Sequence, residues 1–343
     1  SKECQCYKWM GKLIMDFIRE NKKPIITLLL VAIVAYTFYF LDEIKTTSVL
    51  VFGWGYAVPL VLAAMVGIIG ERTGVVNIGI EGQMLMAAFA SFFGSVFTGN
   101  IYLGILIGIS AGLLMGAFLA VAAVKWEMDQ IIAGVVINIV AAGLTSFFYD
   151  QGKTLPELMP VISIPLLSQI PLIGPVFFRN GLFALSTLFI VAAVYYGLFK
   201  TRWGLRSRAV GEYPSAADAA GINVTRIRML NVTFAGALAG CAGAFLALEA
   251  AGTFARGLTA GRGFLALAIM IFGAWNPLGA LAAALFFGLS TAIASQLQAD
   301  EVINIPQQFV NLLPFVMTLI VLAIAVGRVR PPAAAGQPYT KEG

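Results

Sequence analysis

Long apolar stretches recur along the chain and set its expected architecture. Each runs for about 16 to 24 residues without a charged side chain, and a helix needs about 20 residues to cross roughly 30 Å of hydrocarbon. The pattern predicts an all-α polytopic membrane protein with about ten membrane helices. The predicted spans are 25–41, 49–69, 76–98, 101–124, 130–149, 181–199, 229–251, 263–275, 277–296 and 312–327.

These spans define a membrane domain over residues 25–327, between tails at 1–24 and 328–343. The pair 263–275 and 277–296 is separated by a very short turn, so one long broken helix is an alternative there. If the N-terminus lies inside, 17 of the 22 Lys and Arg residues fall on inner segments. Positive residues in short loops are retained on the cytoplasmic side. We therefore expect both termini to be cytoplasmic.

The composition excludes several classes of protein. Hydrophobic residues make up 59% of the chain and charged residues 11%, with a mean hydropathy of +0.89. Soluble domains carry about 25% charged residues. A disordered chain, a disulfide-stapled secreted domain and a nucleic-acid-binding protein are all excluded.

The chain also lacks the residues of common active sites. It has no histidine and no Gly-x-x-x-x-Gly-Lys-Ser/Thr motif, so we predict no catalytic residue, no metal site and no cofactor or ATP bound by this chain. Only Glu81 and Glu249 place charge within the predicted spans. Ion-coupled carriers usually need buried ionisable groups. The pathway therefore suits a neutral polar solute that is moved by energy from another component.

Residues 70–83, called the joint below, connect the second and third predicted spans with four glycines and several charged or amide side chains. Irregular backbone at this depth must be buried in protein or line a wet cavity. One interpretation is a helix cap, with Asn77 capping the third span and Glu81 in its first turn. The other is that Asn77, Glu81 and Gln83 project into a pathway and hydrogen-bond a solute.

Residues 200–228, called the 200–228 loop below, form the longest inner segment between spans. They contain a short predicted helix, with Pro214 near its start and Gly221 just past its end. A helix of about two turns is marginal alone in water. It either lies on lipid headgroups, supported by flanking arginines, or docks into a groove on a cytoplasmic partner.

Two motifs give the chain a specific resemblance. They are Gly-Glu-Arg-Thr-Gly-Val-Val-Asn-Ile-Gly-Ile-Glu-Gly at 70–82 and Ala-Val-Gly-Glu-Tyr-Pro-Ser-Ala-Ala-Asp-Ala-Ala-Gly-Ile-Asn at 209–223. Together they resemble bacterial ABC-importer permeases of the branched-chain amino acid and sugar superfamily. The first motif is most similar to the nucleoside and simple-sugar branch.

The resemblance implies how transport is powered. Its second motif is similar to the coupling-helix loop that contacts ATPase subunits. It implies two cytoplasmic ATPases that hold ATP and Mg, a second permease subunit, identical or paralogous, an extracytoplasmic solute-binding lipoprotein, and a place in the bacterial inner membrane. ATPase coupling is assigned to Gly211, Glu212, Pro214, Ser215, Ala216, Ala217, Asp218, Ala219, Ala220 and Gly221.

Other polar and small residues have two interpretations. Asn138, in the fifth predicted span, is a candidate pathway residue beside Asn77, Glu81 and Gln83, and Asn231 is another candidate for solute contact. Polar residues also join neighbouring helices by hydrogen bonds, which is the favoured interpretation for both asparagines. The glycine and alanine runs at 235–243 and 280–288 predict close helix contacts.

Glycine-rich breaks follow two spans of opposite direction. The second span ends in the joint, and the seventh is followed by residues 252–263. Such matching interruptions indicate a candidate inverted repeat. The outer loop at about 150–180 contains five prolines and is too long for a simple turn. We hypothesise that the binding protein docks there.

Two other classes of function remain as alternatives. An ion-coupled secondary transporter would accumulate solute without partners, and a membrane-embedded enzyme would act on a lipid. The missing histidine and the scarcity of buried carboxylates count against the enzyme. Within the permease interpretation, sugars or branched-chain amino acids are alternative solutes.

Overall fold

The structure is a computed structural model that describes residues 42–299 and 330–340, together with the isolated helical positions Leu312 and Val316. The chain divides into two compact units, residues 1–48 and 49–343, and the first is described only at the start of the first helix. The helices are α1 Glu43–Glu71, α2 Ile80–Thr98, α3 Ile101–Ala120, α4 Gln130–Phe147, α5 Leu182–Lys200, α6 Arg202–Glu212, α7 Pro214–Ala219, α8 Val224–Ala244, α9 Arg262–Phe272 and α10 Pro277–Ala299.

Among the described residues, seven helices are long and apolar enough to cross a membrane: α1, α2, α3, α4, α5, α8 and α10. Each of α3 and α8 continues through one wider helical turn, to Lys125 and Ala250 respectively. These seven helices correspond to the second to seventh and the ninth predicted spans. The predicted spans 25–41 and 312–327 lie outside the described residues, apart from Leu312 and Val316.

The eighth predicted span differs from its expectation. Helix α9 has 11 residues, which makes it about 16 Å long, or about half of the hydrocarbon thickness. It ends at Phe272, and Trp275 lies in the turn before α10 rather than in the helix. The region is thus a half-length helix, α9, followed by α10, which alone is long enough to span a membrane.

Two other predicted boundaries are wrong for local reasons. Helix α2 begins at Ile80 rather than at 76, because the joint forms turns up to Gly79. Helix α8 begins at Val224 rather than at 229, because the Asn223 side chain accepts a hydrogen bond from the Arg226 N–H and caps the helix there. Helix α8 therefore contains arginines, contrary to the prediction that no basic residue lies within a span.

Glycine-lined contacts hold α3 against α8. A Cβ atom added to Gly112 would lie 2.5 Å from the carbonyl oxygen of Gly236, and one on Gly116 would lie 2.8 Å from the Gly236 Cα. Small residues at such spacing let two backbones approach closely within a membrane. The predicted close helix contact at 235–243 is confirmed.

The run at 280–288 also packs against a neighbouring helix. A Cβ atom on Gly288 of α10 would lie 2.9 Å from the Cβ of Ala57 on α1. The prediction of a close contact here is confirmed too.

The proline-rich segment at about 150–180, which was predicted to be an outer loop, contains the two described strands. Strand β1, Ile162–Ser163, pairs antiparallel with β2, Arg179–Asn180, with Ile162 opposite Asn180. The strands pair within the segment between α4 and α5, which is therefore more than a simple turn, as its length and prolines led us to expect.

Candidate functional site

The joint leaves α1 through a tight, internally bonded turn. The Thr73 hydroxyl donates to the carbonyl oxygens of Ile69, at 2.9 Å, and Gly70, at 2.7 Å. Gly74 then adopts a φ of +88°, a conformation that glycine reaches without steric cost. Two residues later, the Val76 N–H donates to the Gln130 side chain of α4 at 2.7 Å. The irregular backbone is therefore buried in protein, as its composition predicts.

Asn138 of α4 binds the backbone of the joint. Its Oδ1 accepts from the Gly82 N–H at 2.7 Å, and its Nδ2 donates to the Ile78 carbonyl oxygen at 3.1 Å. The amide thus links α4 to the start of α2, which is the helix-joining role that the sequence favours. A contact between Asn138 and solute stays a prediction.

Asn231 of α8 also joins helices. Its Oδ1 accepts from the Trp203 indole at 2.9 Å, and its Nδ2 donates to the Ser207 hydroxyl at 2.8 Å. Both polar atoms are therefore used in packing α8 against α6.

Glu81 binds the beginning of the half-length helix α9. Its two carboxylate oxygens accept from the N–H groups of Gly261, at 2.7 Å, and Gly263, at 2.6 Å. Free N–H groups and the helix dipole make a helix N-terminus favourable for a carboxylate. Glu81 was expected in the first turn of its own helix α2, where it does lie, but its carboxylate serves another helix. Contact between Glu81 and solute stays a prediction.

The other end of α9 is also held by the end of α1 and the joint. The Trp275 indole donates to the buried Glu71 carboxylate at 2.5 Å. The Arg72 guanidinium donates to the carbonyl oxygens of Trp275, at 3.1 Å, and Ala274, at 3.3 Å. Helix α9 therefore runs from Arg262, its first residue, to a far end that contacts Arg72 about 16 Å away.

Asn77 and Gln83 form a buried amide pair. The Asn77 Nδ2 donates to the Gln83 Oε1 at 3.1 Å, and both side chains are at most 1% exposed. The Asn77 Oδ1 and the Gln83 Nε2 are buried without any hydrogen-bond partner among the described residues. The capping interpretation of Asn77 is wrong, because α2 begins after Gly79 without a side-chain cap.

The predicted short helix of the 200–228 loop is present as α7. Pro214 is its first residue, and Gly221 follows it with a φ of +79°. Ala217 anchors the helix, because it is buried in an apolar cluster with Val210 and Val224. The helix is therefore held by its own chain.

The assigned coupling residues differ in exposure. Gly211 and Ala217 are buried, and Pro214 and Asp218 are half-buried. The outward face is built mainly from small residues, next to the 70% exposed Tyr213. The exposed members are Glu212, Ser215, Ala216, Ala219, Ala220 and Gly221.

The joint and the 200–228 loop touch directly. A Cβ atom on Gly211 would lie 2.7 Å from the carbonyl carbon of Arg72, so only glycine permits this approach. The guanidinium carbons of Arg72 and Arg208 lie 5.4 and 5.1 Å from the centre of the Phe199 ring, in cation–π contact. Burial lowers the pKa of Arg72, and the charge of the nearby Glu212 acts in the opposite direction.

Several residues of this region were not singled out from the sequence. Gln130 binds the joint, Trp275 binds Glu71, and Arg228 is buried while its Nε donates to the Thr73 carbonyl oxygen at 3.1 Å. Arg228 carried a detectable signal, because it is a charged residue directly before an apolar run. The partners of Gln130 and Trp275 lie 54 and 204 residues away, which no local pattern indicates.

Comparisons with known proteins agree with this architecture. The family described as "Branched-chain amino acid transport system / permease component" matches residues 49–322. The nucleoside ABC transporter permease protein NupC of Lactococcus lactis is 40% identical over 299 residues, covering 83% of this chain and 94% of that protein. The guanosine ABC transporter permease protein NupQ of Bacillus subtilis is 39% identical over 305 residues, with the same coverage.

A second Bacillus subtilis protein, the guanosine ABC transporter permease protein NupP, is 27% identical over 284 residues, covering 78% of each chain. The matched residues contain the joint, the 200–228 loop and every helix of the structure except the first six residues of α1. This protein is a multi-pass membrane permease subunit of an ABC transporter, and it belongs to the branched-chain amino acid transport system permease family.

Proposed function

We propose that the chain forms one half of the translocation pathway of an ATP-driven importer for nucleosides. The observation that carries the proposal is the joint, where two buried amides have free hydrogen-bonding atoms and the backbone touches the 200–228 loop. In this proposal, the element that contacts solute and the element that contacts the ATPases touch each other directly. The names of the relatives, which transport nucleosides or guanosine, support this class of solute.

The buried amide pair supports recognition of a neutral hydroxylated or heterocyclic solute. The Asn77 Oδ1 is a free acceptor and the Gln83 Nε2 is a free donor. Leaving such an atom buried and unpaired costs about 1–3 kcal/mol. A nucleoside presents donors and acceptors on its base and its ribose, so it could satisfy both atoms when the pathway opens. Asn138 holds the backbone that presents the pair, and Glu81 connects the start of α2 to the start of α9.

Energy would come from separate subunits. The chain has no phosphate-binding glycine motif, so in this proposal it catalyses nothing and binds no cofactor, while two cytoplasmic ATPases hold ATP and Mg. Their closure would press on the exposed face of α7, which the small residues Ala216 and Ala219 leave open for close approach.

The second permease subunit would be a paralogue of this chain. Two guanosine permease proteins of one organism, NupQ and NupP, both resemble the chain, and the first does so more closely. Exposed apolar side chains on α4, such as Ile132 at 58% and Ile139 at 65%, are available to that subunit or to lipid. A solute-binding lipoprotein would dock on the outer loop that contains β1 and β2.

Uptake by the purified assembly tests the proposal. The chain, its paralogue, the ATPases and the binding lipoprotein would be reconstituted in liposomes with labelled adenosine, uridine, guanosine, ribose or glucose. We expect nucleoside uptake only when ATP is present on the side of the liposome membrane that carries the ATPases. Accumulation driven by an ion gradient through the chain alone would contradict it, and preferential sugar uptake would overturn the choice of solute.

The docking face can be tested by adding bulk to it. Ala216→Arg places a long cation on the exposed side of α7 and should abolish ATP-driven uptake while the chain still inserts in the membrane. Ala299→Arg, at the exposed end of α10, is the matched control and should leave uptake unchanged. Normal transport by the Ala216→Arg assembly would remove the docking role of α7.

The amide pair can be tested through solute affinity. Asn77→Leu and Gln83→Met remove the free acceptor and the free donor, so the KM for nucleoside should rise about tenfold, the factor expected for one hydrogen bond of this kind. Ser91→Ala is the control, since that buried hydroxyl donates to the Ala88 carbonyl within its own helix. An unchanged KM in both pair variants would limit the amides to a structural role.

A further inference from the structure

Residues 330–340, called the strap below, are bound to both elements of the proposed mechanism. The Ala334 N–H donates to the Gly211 carbonyl oxygen of α6 at 2.9 Å. Two residues later, the Gly336 N–H donates to the Gly74 carbonyl oxygen of the joint at 3.2 Å. The strap therefore bridges the 200–228 loop and the joint through backbone bonds on both sides.

Arg228 fastens the strap from a third element, α8. Its Nε donates to the Thr73 carbonyl oxygen at 3.1 Å, and its Nη1 donates to the Gln337 carbonyl oxygen at 2.8 Å. The side chain is only 2% exposed. A buried guanidinium is costly unless it is hydrogen-bonded, so each of these carbonyls stabilises the arrangement strongly.

Packing adds to the hydrogen bonds. Tyr339 packs against the apolar cluster that contains Ala217 of α7 and Val210 of α6. Ala334 is buried, and its carbonyl oxygen would lie 3.1 Å from a Cβ atom on Gly74. The absent side chain at Gly74 thus makes room for both the strap and Arg228.

We infer that Arg228 and the strap are positioning elements that make α7 and the joint move as one body, so that displacement of α7 reaches the buried amide pair. This inference rests on the proposed function and adds to it a route by which force passes between the two elements. A direct contact at Gly211 alone would let the loop slide along the joint. The bridging bonds to Gly211, Gly74 and Thr73 oppose that sliding.

The test is the number of solute molecules transported for each ATP hydrolysed by the reconstituted assembly. Arg228→Gln shortens the side chain and removes its charge, so it cannot hold both carbonyls. We expect the transport-to-hydrolysis ratio to fall about tenfold, the scale for losing hydrogen bonds from a charged group, while ATP hydrolysis continues. Simple loss of folded protein would lower both rates equally and leave the ratio unchanged.

Matched variants separate this effect from general damage. Arg226→Gln removes an exposed arginine two positions away on the same helix and should keep the ratio. Gly74→Ala inserts a Cβ atom against Arg228 and the strap, whereas Gly99→Ala, at a similar positive φ with nothing within 4 Å, is its control. Gly74→Ala should lower the transport-to-hydrolysis ratio, and Gly99→Ala should leave it unchanged.

The outcomes distinguish this inference from the proposed function. If the unmodified assembly takes up no nucleoside with ATP, the proposed function fails first. If the unmodified assembly does take up nucleoside with ATP, and the transport-to-hydrolysis ratio is unchanged in both Arg228→Gln and Gly74→Ala, the proposed function stands and the strap has no role in force transfer.

Discussion

Two carboxylates, Glu81 and Glu249, lie within the helical bundle, and both bind the beginning of a helix other than their own. Glu81 accepts from Gly261 and Gly263 at 2.7 and 2.6 Å, at the start of α9. Glu249 accepts from the N–H groups of Phe183 and Ala184 at 2.9 and 3.2 Å, at the start of α5. In each case a half-buried carboxylate is stabilised by unpaired N–H groups at the start of a helix.

The two helices differ in what else holds them. Helix α5 has 19 residues and is long enough to span the membrane, whereas α9 has 11 and is fixed at both ends by α1, the joint and α2. Losing one contact should matter little to the position of α5 and greatly to that of α9. The same chemistry thus anchors a membrane-length helix in one place and a half-length helix in the other.

The largest effect is expected from Glu81→Gln. Glutamine offers one acceptor where two N–H groups point, and hydrogen bonds to a charged group are worth about 1.5–3 kcal/mol each. Nucleoside uptake per assembled complex should fall at least about tenfold. Uptake in liposomes, normalised to the amount of assembled protein, is the measurement.

Glu249→Gln is the matching variant at the start of α5, and its result tests the difference expected between α9 and α5. It removes an equivalent charged acceptor, so thermal stability should fall by a similar amount in both variants. Uptake per assembled complex should stay close to that of the unmodified chain. An equal loss of uptake in the two variants would show that α9 has no special role.

A smaller effect is expected at the other end of α9. Trp275→Phe keeps the ring but removes the indole donor, leaving the buried Glu71 carboxylate without it, at a cost of about 1–3 kcal/mol. Uptake should fall several-fold. Trp54→Phe is a close control, because the buried Trp54 indole has no hydrogen-bond partner among the described residues.

The smallest effect is expected from an exposed cap. The Asn100 side chain accepts from the N–H groups of Tyr102 and Leu103 at the start of α3. Asn100→Ala should cost about 1 kcal/mol of stability, seen as a lower melting temperature, with uptake unchanged. A marked loss of uptake would mean that any helix cap affects transport, and the contrast between Glu81 and Glu249 would lose its meaning.

Hydropathy identified most of the helices, because a long apolar segment in a membrane has few alternative structures to a helix. The second to seventh and the ninth predicted spans each correspond to an observed helix, and the short α7 appeared where Pro214 and Gly221 placed it. Errors arose where charge or polarity was taken as a boundary. Arg226 and Arg228 lie inside α8, because Asn223 caps the helix before them and Arg228 finds carbonyl partners.

The partners of the site residues were much harder to predict. Asn77 was expected either to cap α2 or to face a solute; it does not cap α2, and the sequence did not indicate that its amide binds Gln83. Glu81 binds glycines 180 and 182 residues away, and the strap binds residues that precede it by more than 100 positions. Such pairings depend on how α9 and the strap fold back onto the joint. The candidate inverted repeat and the inner and outer assignments stay predictions.

The contact between α3 and α8 limits where the molecule can change shape. At Gly112 and Gly236 the two backbones meet with no side chain between them. A contact between two backbones has no side-chain rotamers to adjust, so α3 and α8 cannot move apart gradually. A change of shape would then require a hinge elsewhere, and the break between α9 and α10, where Ala274 and Trp275 both have positive φ, is one place in the described bundle where the main chain bends sharply.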